Sequence, residues 1–349
     1  MVKLAGLDSL NSLALIGMSK NAGKTTCLNH IVADWQASGQ TRHLALTSIG
    51  RDGEAEDILS GRAKPRIYIP AGTIIATAQG ALQRCDPLLE ILDLSNIRTA
   101  FGEVVLCRAL SDGYVELAGP STAEELDVIT DLVRKQEPDC LFIIDGALSR
   151  RSQAGAGVSE AIILAVSAET SANPEILTEK TRFALEILQT PGLDSDLEQL
   201  ILTSLQTDPK ANVIGIVEKN GLQEISSLNT PSLVGFGKDV AKYLKAGTTT
   251  IFLKGAITDQ IVSQLLREEK FAQLKLVAED GTRLFLKPET IRKLETRQID
   301  LFVLFPLDVR LVCLNPTRSN GQSGNRESLL DHLQNGLDLQ VVDFGPANM

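Results

Sequence analysis

Leu13-Ala-Leu-Ile-Gly-Met-Ser-Lys-Asn-Ala-Gly-Lys-Thr-Thr26 constrains this chain more than any other stretch. Leu13 to Ile16 form a short apolar run that predicts a buried parallel strand. Gly23-Lys24-Thr25-Thr26 ends the following loop, and Cys27 to Trp35 then reads as a helix. Strand, tight loop, Gly-Lys-Thr and helix is the order that builds a phosphate-binding loop. Ser19, Lys20, Asn21, Ala22, Gly23, Lys24, Thr25 and Thr26 are therefore the candidate phosphate contacts. Gly23 lets the backbone approach an anion closely, and successive loop N–H groups and the helix N-terminus supply partial positive charge. Lys24 is expected to reach the β and γ phosphates, and the Thr25 hydroxyl to take one Mg2+ position.

The spelling departs from the usual spacing. A glycine is expected five residues before Gly23, where Met18 stands, and Gly17 lies one place earlier. Lys20 also falls one place after the position of the lysine in deviant P-loops, so it receives no such role. The plainer alternative is a strand–helix turn carrying a chance Gly-Lys-Thr.

A second motif supports the first. Cys140-Leu-Phe-Ile-Ile-Asp145-Gly146-Ala147 is an apolar run closing on an acid, the Walker B pattern. Such a strand places its carboxylate at the carboxyl end, beside a Mg2+ held by Thr25. His43 to Ile49 predicts another strand, running into Gly50-Arg51-Asp52-Gly53-Glu54. Asp52 and Glu54 are candidates for Mg2+ or water positioning, and Arg51 for phosphate charge; a solvated acidic turn explains them equally well. Lys24, Asp52 and Asp145 form the candidate catalytic set, with Thr25 and Asp145 as metal ligands.

Composition narrows the partners. The formal net charge is -10 with no compensating basic block, so a nucleic-acid backbone is not expected as a partner. Hydrophobic residues make up 43% but aromatics only 4%, a mixture that suits buried parallel strands under helices. Five scattered cysteines form no CxxC pair and read as reduced thiols. No stretch is long enough to span a bilayer, and the start lacks a signal-peptide apolar core, so a cytoplasmic protein is expected.

A chain of 349 residues suggests about two domains. Ile67 to Ala78 reads as extended and bent by Pro70 and Gly72. Glu103–Ala109 and Tyr114–Ala118 read as a hairpin across Asp112-Gly113. Ser121 or Thr122, backed by Glu124 and Glu125, predicts a capped helix from Ala123 to Lys135, whose N-terminus also suits an oxyanion. Glu160–Ser167 and Val213–Val217 read as strands, and Asn173–Leu188 as a helix. GTPases read guanine with Asn/Thr-Lys-x-Asp at a strand end, which Glu218-Lys219-Asn220-Gly221 does not supply; this tilts the base to adenine. Beyond Gly235-Phe-Gly237 the character changes, and a boundary is placed near residue 240. Downstream strands pair as Leu274–Val277 with Arg283–Leu286 across Asp280-Gly281, and as Asp300–Leu304 with Val309–Leu314. The expected architecture is α/β: a P-loop NTPase-like, mostly parallel sheet flanked by helices over 1–239, with a smaller C-terminal α/β domain over 240–349. Asn315 to Gly321 reads as a turn-rich surface loop.

Four segments, Ile16–Thr26, Phe142–Ala147, Phe252–Asp259 and Leu314–Pro316, carry a resemblance to the reactivase subunits of adenosylcobalamin-dependent lysine 5,6-aminomutase. Of these only the P-loop spelling is specific. The resemblance implies an ATP- and Mg2+-linked accessory factor, with weak or partner-stimulated hydrolysis, that helps exchange damaged cobalamin. Its expected partners are the aminomutase, a second reactivase subunit, or both, with GTP less favoured than ATP. A different class is an ATP-dependent small-molecule kinase or ligase similar to dethiobiotin synthetases, with Asp52, Glu116 and the Gly119–Thr122 loop on the substrate. A non-hydrolysing nucleotide-binding subunit is the third reading.

Overall fold

The computed structural model describes residues 6–19, 22–49, 66–146, 159–219, 222–230, 247–267, 274–318 and 325–343. The expectations resting on Lys20, Asn21, Arg51, Asp52, Glu54, Asn220 and Gly221, and on the boundary near residue 240, lie outside these residues.

Along the chain the strands are β1 (Ser12–Gly17), β2 (Leu44–Ser48), β3 (Ile67–Ile69), β4 (Ile74–Ala78), β5 (Leu89–Thr99) and β6 (Gly102–Ala109). There follow β7 (Gly113–Val115), β8 (Leu141–Asp145), β9 (Ala161–Ser167), β10 (Val213–Lys219), β11 (Leu222–Leu228) and β12 (Thr248–Leu253). The last are β13 (Ile257–Thr258), β14 (Lys275–Ala278), β15 (Leu284–Phe285), β16 (Asp300–Val303), β17 (Val309–Asn315) and β18 (Val341–Asp343). The helices are α1 (Lys24–Ala37), α2 (Gln79–Leu82), α3 (Ala123–Gln136), α4 (Pro174–Leu188), α5 (Ser195–Thr207), α6 (Asp259–Leu265), α7 (Pro288–Thr296) and α8 (Arg326–Gly336). None of these helices is long and apolar enough to cross a membrane.

Two compact units form, one drawn from residues within 1–152, 156–184 and 308–349, the other from residues within 185–307. The first holds a nine-stranded sheet in the order β18-β17-β9-β1-β8-β2-β4-β6-β5. From β18 to β4 every neighbouring pair is parallel, while β6 and β5 close one edge antiparallel. The architecture is thus α/β with a large, mostly parallel sheet flanked by helices. Strands β1 and β8 are buried apolar runs, Leu13 to Leu15 and Leu141 to Ile144, as parallel strands covered on both faces must be. Helix α1 packs one face through Cys27, Leu28, Ile31, Val32 and Trp35, which share a core with Leu13, Leu15, Leu46, Ile143, Ile163 and Cys313. Emptying one such position, as in Leu28→Ala, is expected to cost about 2–5 kcal/mol.

The second unit carries the sheet β11-β10-β12-β14-β16, in which β12, β14 and β16 run parallel and β10 runs antiparallel to both of its neighbours. Helix α5 covers it through Leu197, Ile201 and Leu205 against Ile214, Ile216, Phe252 and Val277.

Three expected pairings are corrected. Strand β6 does not form a hairpin with β7; it pairs with β5 and β4, and β7 joins β3 instead. Asp280-Gly281 does not turn a hairpin, because the Asp280 carboxylate accepts from Thr282 N at 2.7 Å and caps a single 3-10 turn. Strand β15 then pairs with β13 and not with β14. Strands β16 and β17 separate, the first joining β14 in the second unit and the second lying between β9 and β18 in the first. The C-terminal third is therefore not one domain, and 1–239 is not the other: the second unit is inserted, and the chain returns at β17 to finish the first sheet.

Candidate functional site

The chain leaves β1 through α1 towards β2, while β9 lies on the opposite side of β1 from β8. Strand order thus reverses around β1, and in open α/β sheets ligands sit outside the carboxyl ends at such a reversal. Alternate residues of a strand share a face, so the side that α1 covers is easily traced. On it, Leu44 and Leu46 are followed by Ser48, Leu141 and Ile143 by Asp145, and Leu13 and Leu15 by Gly17. Likewise Ala161, Ile163 and Ala165 lead to Ser167, and Leu311 and Cys313 to Asn315. Five neighbouring strands therefore stop being apolar at the same edge, beneath the N-terminus of α1.

Gly23 is the residue that begins α1, in the left-handed region at φ 92°, with no side chain capping the helix. Its own carbonyl accepts from Cys27 N at 2.9 Å. The first-turn N–H groups are left facing the loop, which is the requirement for holding an anion. Lys24 folds back over the end of β1: a Cβ on Gly17 would meet the Lys24 Cγ and Nζ at 3.3 Å and the Ala22 Cβ at 3.0 Å. This accounts for the displaced glycine. Met18 continues the strand by donating its N–H to Ala165 O at 3.0 Å, and the missing side chain is needed one residue earlier, where the lysine passes.

Asp145 ends β8 in register with Leu15 of β1 and Ser48 of β2. Its carbonyl accepts from Ile49 N at 2.9 Å, and Gly146 N donates to Leu15 O at 3.0 Å. Gly146 has φ 75°, and a Cβ there would stand 3.8 Å from the Lys24 Cε. Lys24, Thr25, Thr26 and Asp145 are all half-buried at this edge. The two sequence motifs thus meet in space. Ser19 lies on the opposite flank, its hydroxyl accepting from Thr170 Oγ1 at 3.2 Å. The buried floor is uncharged: burial, and then contact with the Cys27 thiol, push the Cys313 thiol well up.

Other candidate sites are occupied by the fold. The Ser121 and Thr122 amides both donate to Glu125 Oε2, at 2.8 and 3.1 Å, and Thr122 Oγ1 accepts from Glu125 N, completing a capping box. That leaves capping as the role of this helix end, in place of an oxyanion site. Glu116 is paired with Arg84 at 2.7 Å. Glu218 and Lys219 belong to β10 in the other sheet, so their lack of a guanine-reading sequence says nothing about the base at this edge. No group of three or more His, Cys, Asp or Glu arranged to hold a metal occurs among the described residues.

Sequence reasoning gave Ser48 and Ser167 no role and favoured a surface loop over a binding loop for the segment that Asn315 begins. Their signal is present: each is the polar residue that ends an alternating apolar series. Asn315 is the closest of them to the loop, since a Cβ on Gly23 would lie 2.7 Å from its Cβ. Comparison of this chain with protein-family models, with curated proteins and with solved structures finds no match.

Proposed function

We propose that this protein binds MgATP at the carboxyl edge of its larger sheet and uses the nucleotide state to act on a protein partner. The observation that carries the reading is the meeting of a Gly23-initiated helix, Lys24 folded over Gly17, and Asp145 one strand away. In this reading the Ser19 and Gly23 N–H groups cradle phosphate, with the Ala22 N–H closing the loop on Ser19 O at 3.3 Å, and Lys24 neutralises charge on the β and γ oxygens. Thr25 and Asp145 hold Mg2+, whose chemistry when bound is to neutralise the same oxygens and orient the terminal phosphate. This reading treats the larger sheet as that of a P-loop NTPase with its acid on the adjacent strand. Loss of the γ-phosphate would then be the event that the partner senses.

The resemblance to aminomutase reactivase subunits supplies the partner in this proposal: a cobalamin-dependent enzyme from which damaged cofactor must be exchanged, working in the cytoplasm. A metabolite kinase or ligase is the weaker reading, because Glu116 and the Ser121 and Thr122 amides, its proposed substrate contacts, are engaged within the fold.

Calorimetric titration with MgATP and MgGTP, with phosphate release followed in the same samples, tests the proposal. ATP binding with slow hydrolysis that rises when aminomutase carrying inactive cobalamin is added is the expected result. Failure to bind either nucleotide would sink it, and stoichiometric phosphorylation of a metabolite would replace it with the ligase reading.

A further inference from the structure

Aromatic residues are scarce in this chain, yet two of its three tyrosines stand exposed side by side. Tyr68 of β3 and Tyr114 of β7 lie directly opposite each other, 39% and 38% exposed. Their rings meet edge to face with centroids 5.2 Å apart. Leu110, which is exposed, precedes the turn over residues 111–113 that leads to Tyr114, and its N–H donates to the carbonyl of the exposed Leu88 at 2.8 Å. Tyrosine and arginine among exposed apolar side chains are what protein-binding surfaces are enriched in.

The two tyrosines differ in one group. Tyr114 has a ring, a cation and a carboxylate together: the Arg66 guanidinium lies over it at 5.5 Å, and Arg66 Nη2 donates to Asp86 Oδ1 at 2.6 Å. Tyr68 has the ring and the carboxylate without the cation. Its hydroxyl donates to Asp112 Oδ2 at 3.3 Å, and Ala71 N donates to Asp112 Oδ1 at 2.8 Å. Asp112 forms no ion pair among the described residues. A carboxylate at the tip of an aromatic ring attracts a cation both by charge and through the ring quadrupole. The net charge of -10 favours a partner surface of the same positive sign. The ribbon is also fastened to the helix that begins at the phosphate loop. Asn29, one turn beyond Thr25 on α1, accepts from Tyr68 N at 3.1 Å and donates to Arg66 O at 3.1 Å.

Resting on the nucleotide-and-partner reading above, we propose that the protein partner docks on the Tyr68–Tyr114 face by placing an arginine or lysine side chain against Tyr68 and Asp112. The incoming cation lies on the Tyr68 ring and shares the Asp112 carboxylate, repeating the arrangement that Tyr114 has with Arg66 and Asp86. Leu88 and Leu110 meet apolar side chains that flank the cation on the partner. Asn29 ties Arg66 and Tyr68 to α1, which places the partner on the element that also carries Lys24 and Thr25.

Sedimentation of the full-length protein with aminomutase carrying inactive cobalamin, in the presence of MgATP, tests the proposal. Tyr68→Leu and Asp112→Asn should each weaken the complex roughly three- to thirty-fold, the range of a cation–π contact on moving from exposed to desolvated. Tyr68→Phe, which keeps the ring, should retain most of the affinity. Asp112→Asn keeps an acceptor for Ala71 N, and it should flatten the fall of affinity with added salt. MgATP affinity and melting temperature should match wild type in all three variants. Full affinity in Tyr68→Leu and Asp112→Asn would overturn the inference and leave the nucleotide reading standing. Loss of MgATP binding or of stability in step with the complex would mean that the ribbon only supports the fold, and would overturn it as well. So would a salt dependence unchanged in Asp112→Asn. Wild type that binds MgATP but not the aminomutase would remove the partner from the functional reading, and this inference with it.

Discussion

Gly119 crosses the end of β2 so closely that a Cβ on it would stand 2.0 Å from the Ser48 carbonyl oxygen and 2.5 Å from Thr47 Oγ1. The crossing is held by Gly119 N donating to Ser48 Oγ at 3.1 Å and by Ala118 N donating to Thr77 Oγ1 at 2.9 Å. It leads the chain from the β3–β7 ribbon to the capped start of α3. Neither neighbour is the end of a flexible side chain, so a methyl group has nowhere to go. Gly119→Ala is expected to cost about 1–3 kcal/mol or more. A denaturant midpoint unchanged from wild type would show that the crossing is looser than this.

Lys24→Ala removes a long cation from the carboxyl edge of β1 without touching the core. Lys24 is half-buried, and its stem lies on the glycines Gly17 and Gly146. Stability should stay within about 0.5 kcal/mol of wild type, as for other substitutions that leave no cavity. MgATP binding should be lost. Calorimetry beside a thermal melt measures both, and retained affinity would remove Lys24 from the site.

Cutting the chain after residue 239 should leave no folded first unit. Strand β17 pairs with β9 through six registered residues from Val309 to Asn315, and Leu311, Cys313 and Leu314 are fully buried. Without it, β9 becomes an exposed apolar edge and the α1 core loses two of its members, Leu311 and Cys313. Circular dichroism and a melting curve on fragment 1–239 decide the matter. A cooperative native-like transition would contradict the return of the chain to the first sheet.

Asp127, on α3, has its carboxyl pushed up to about 6 by burial first, then by Glu124 and Asp131. The folded state thus holds this proton more tightly than the unfolded chain, whose carboxyl titrates near the ordinary 3.8. The stability this confers is fully present below pH 3.8 and is lost as pH rises through about 6. Asp127→Asn should therefore stabilise the protein at pH 7, by less than about 1 kcal/mol given the solvent screening of a partly exposed group. The gain should vanish at pH values well below 3.8. Melts at both pH values check the sign.

Local patterning carried much of the fold. Leu13–Ile16, Cys140–Asp145 and Glu160–Ser167 are unbroken apolar runs, and a run of that kind has few alternatives to a buried parallel strand. The Thr122–Glu125 capping box and the α1, α3 and α4 spans were likewise legible, because caps and helical periodicity act over a few residues. Strands β5 and β11 and helix α5 were not picked out. In β5, bulges near Ile91–Asp93 and Leu94–Arg98 interrupt the alternation that signals a strand.

The sequence by itself determined that a glycine-bearing loop joins a buried strand to a helix, and that an acid ends a second such strand. These depend on neighbours along the chain. Only the tertiary structure decided that β8 lies beside β1, that β17 returns from beyond the inserted unit to flank β9, and that Asn315 rests on Gly23. Strand pairing is chosen by packing across the whole sheet, and two strands that can be neighbours by composition become so only where their covering helices also fit. That is why Asp112-Gly113 and Asp280-Gly281, each a good local signal for a hairpin, turn none: in both cases the strands on either side find better partners elsewhere.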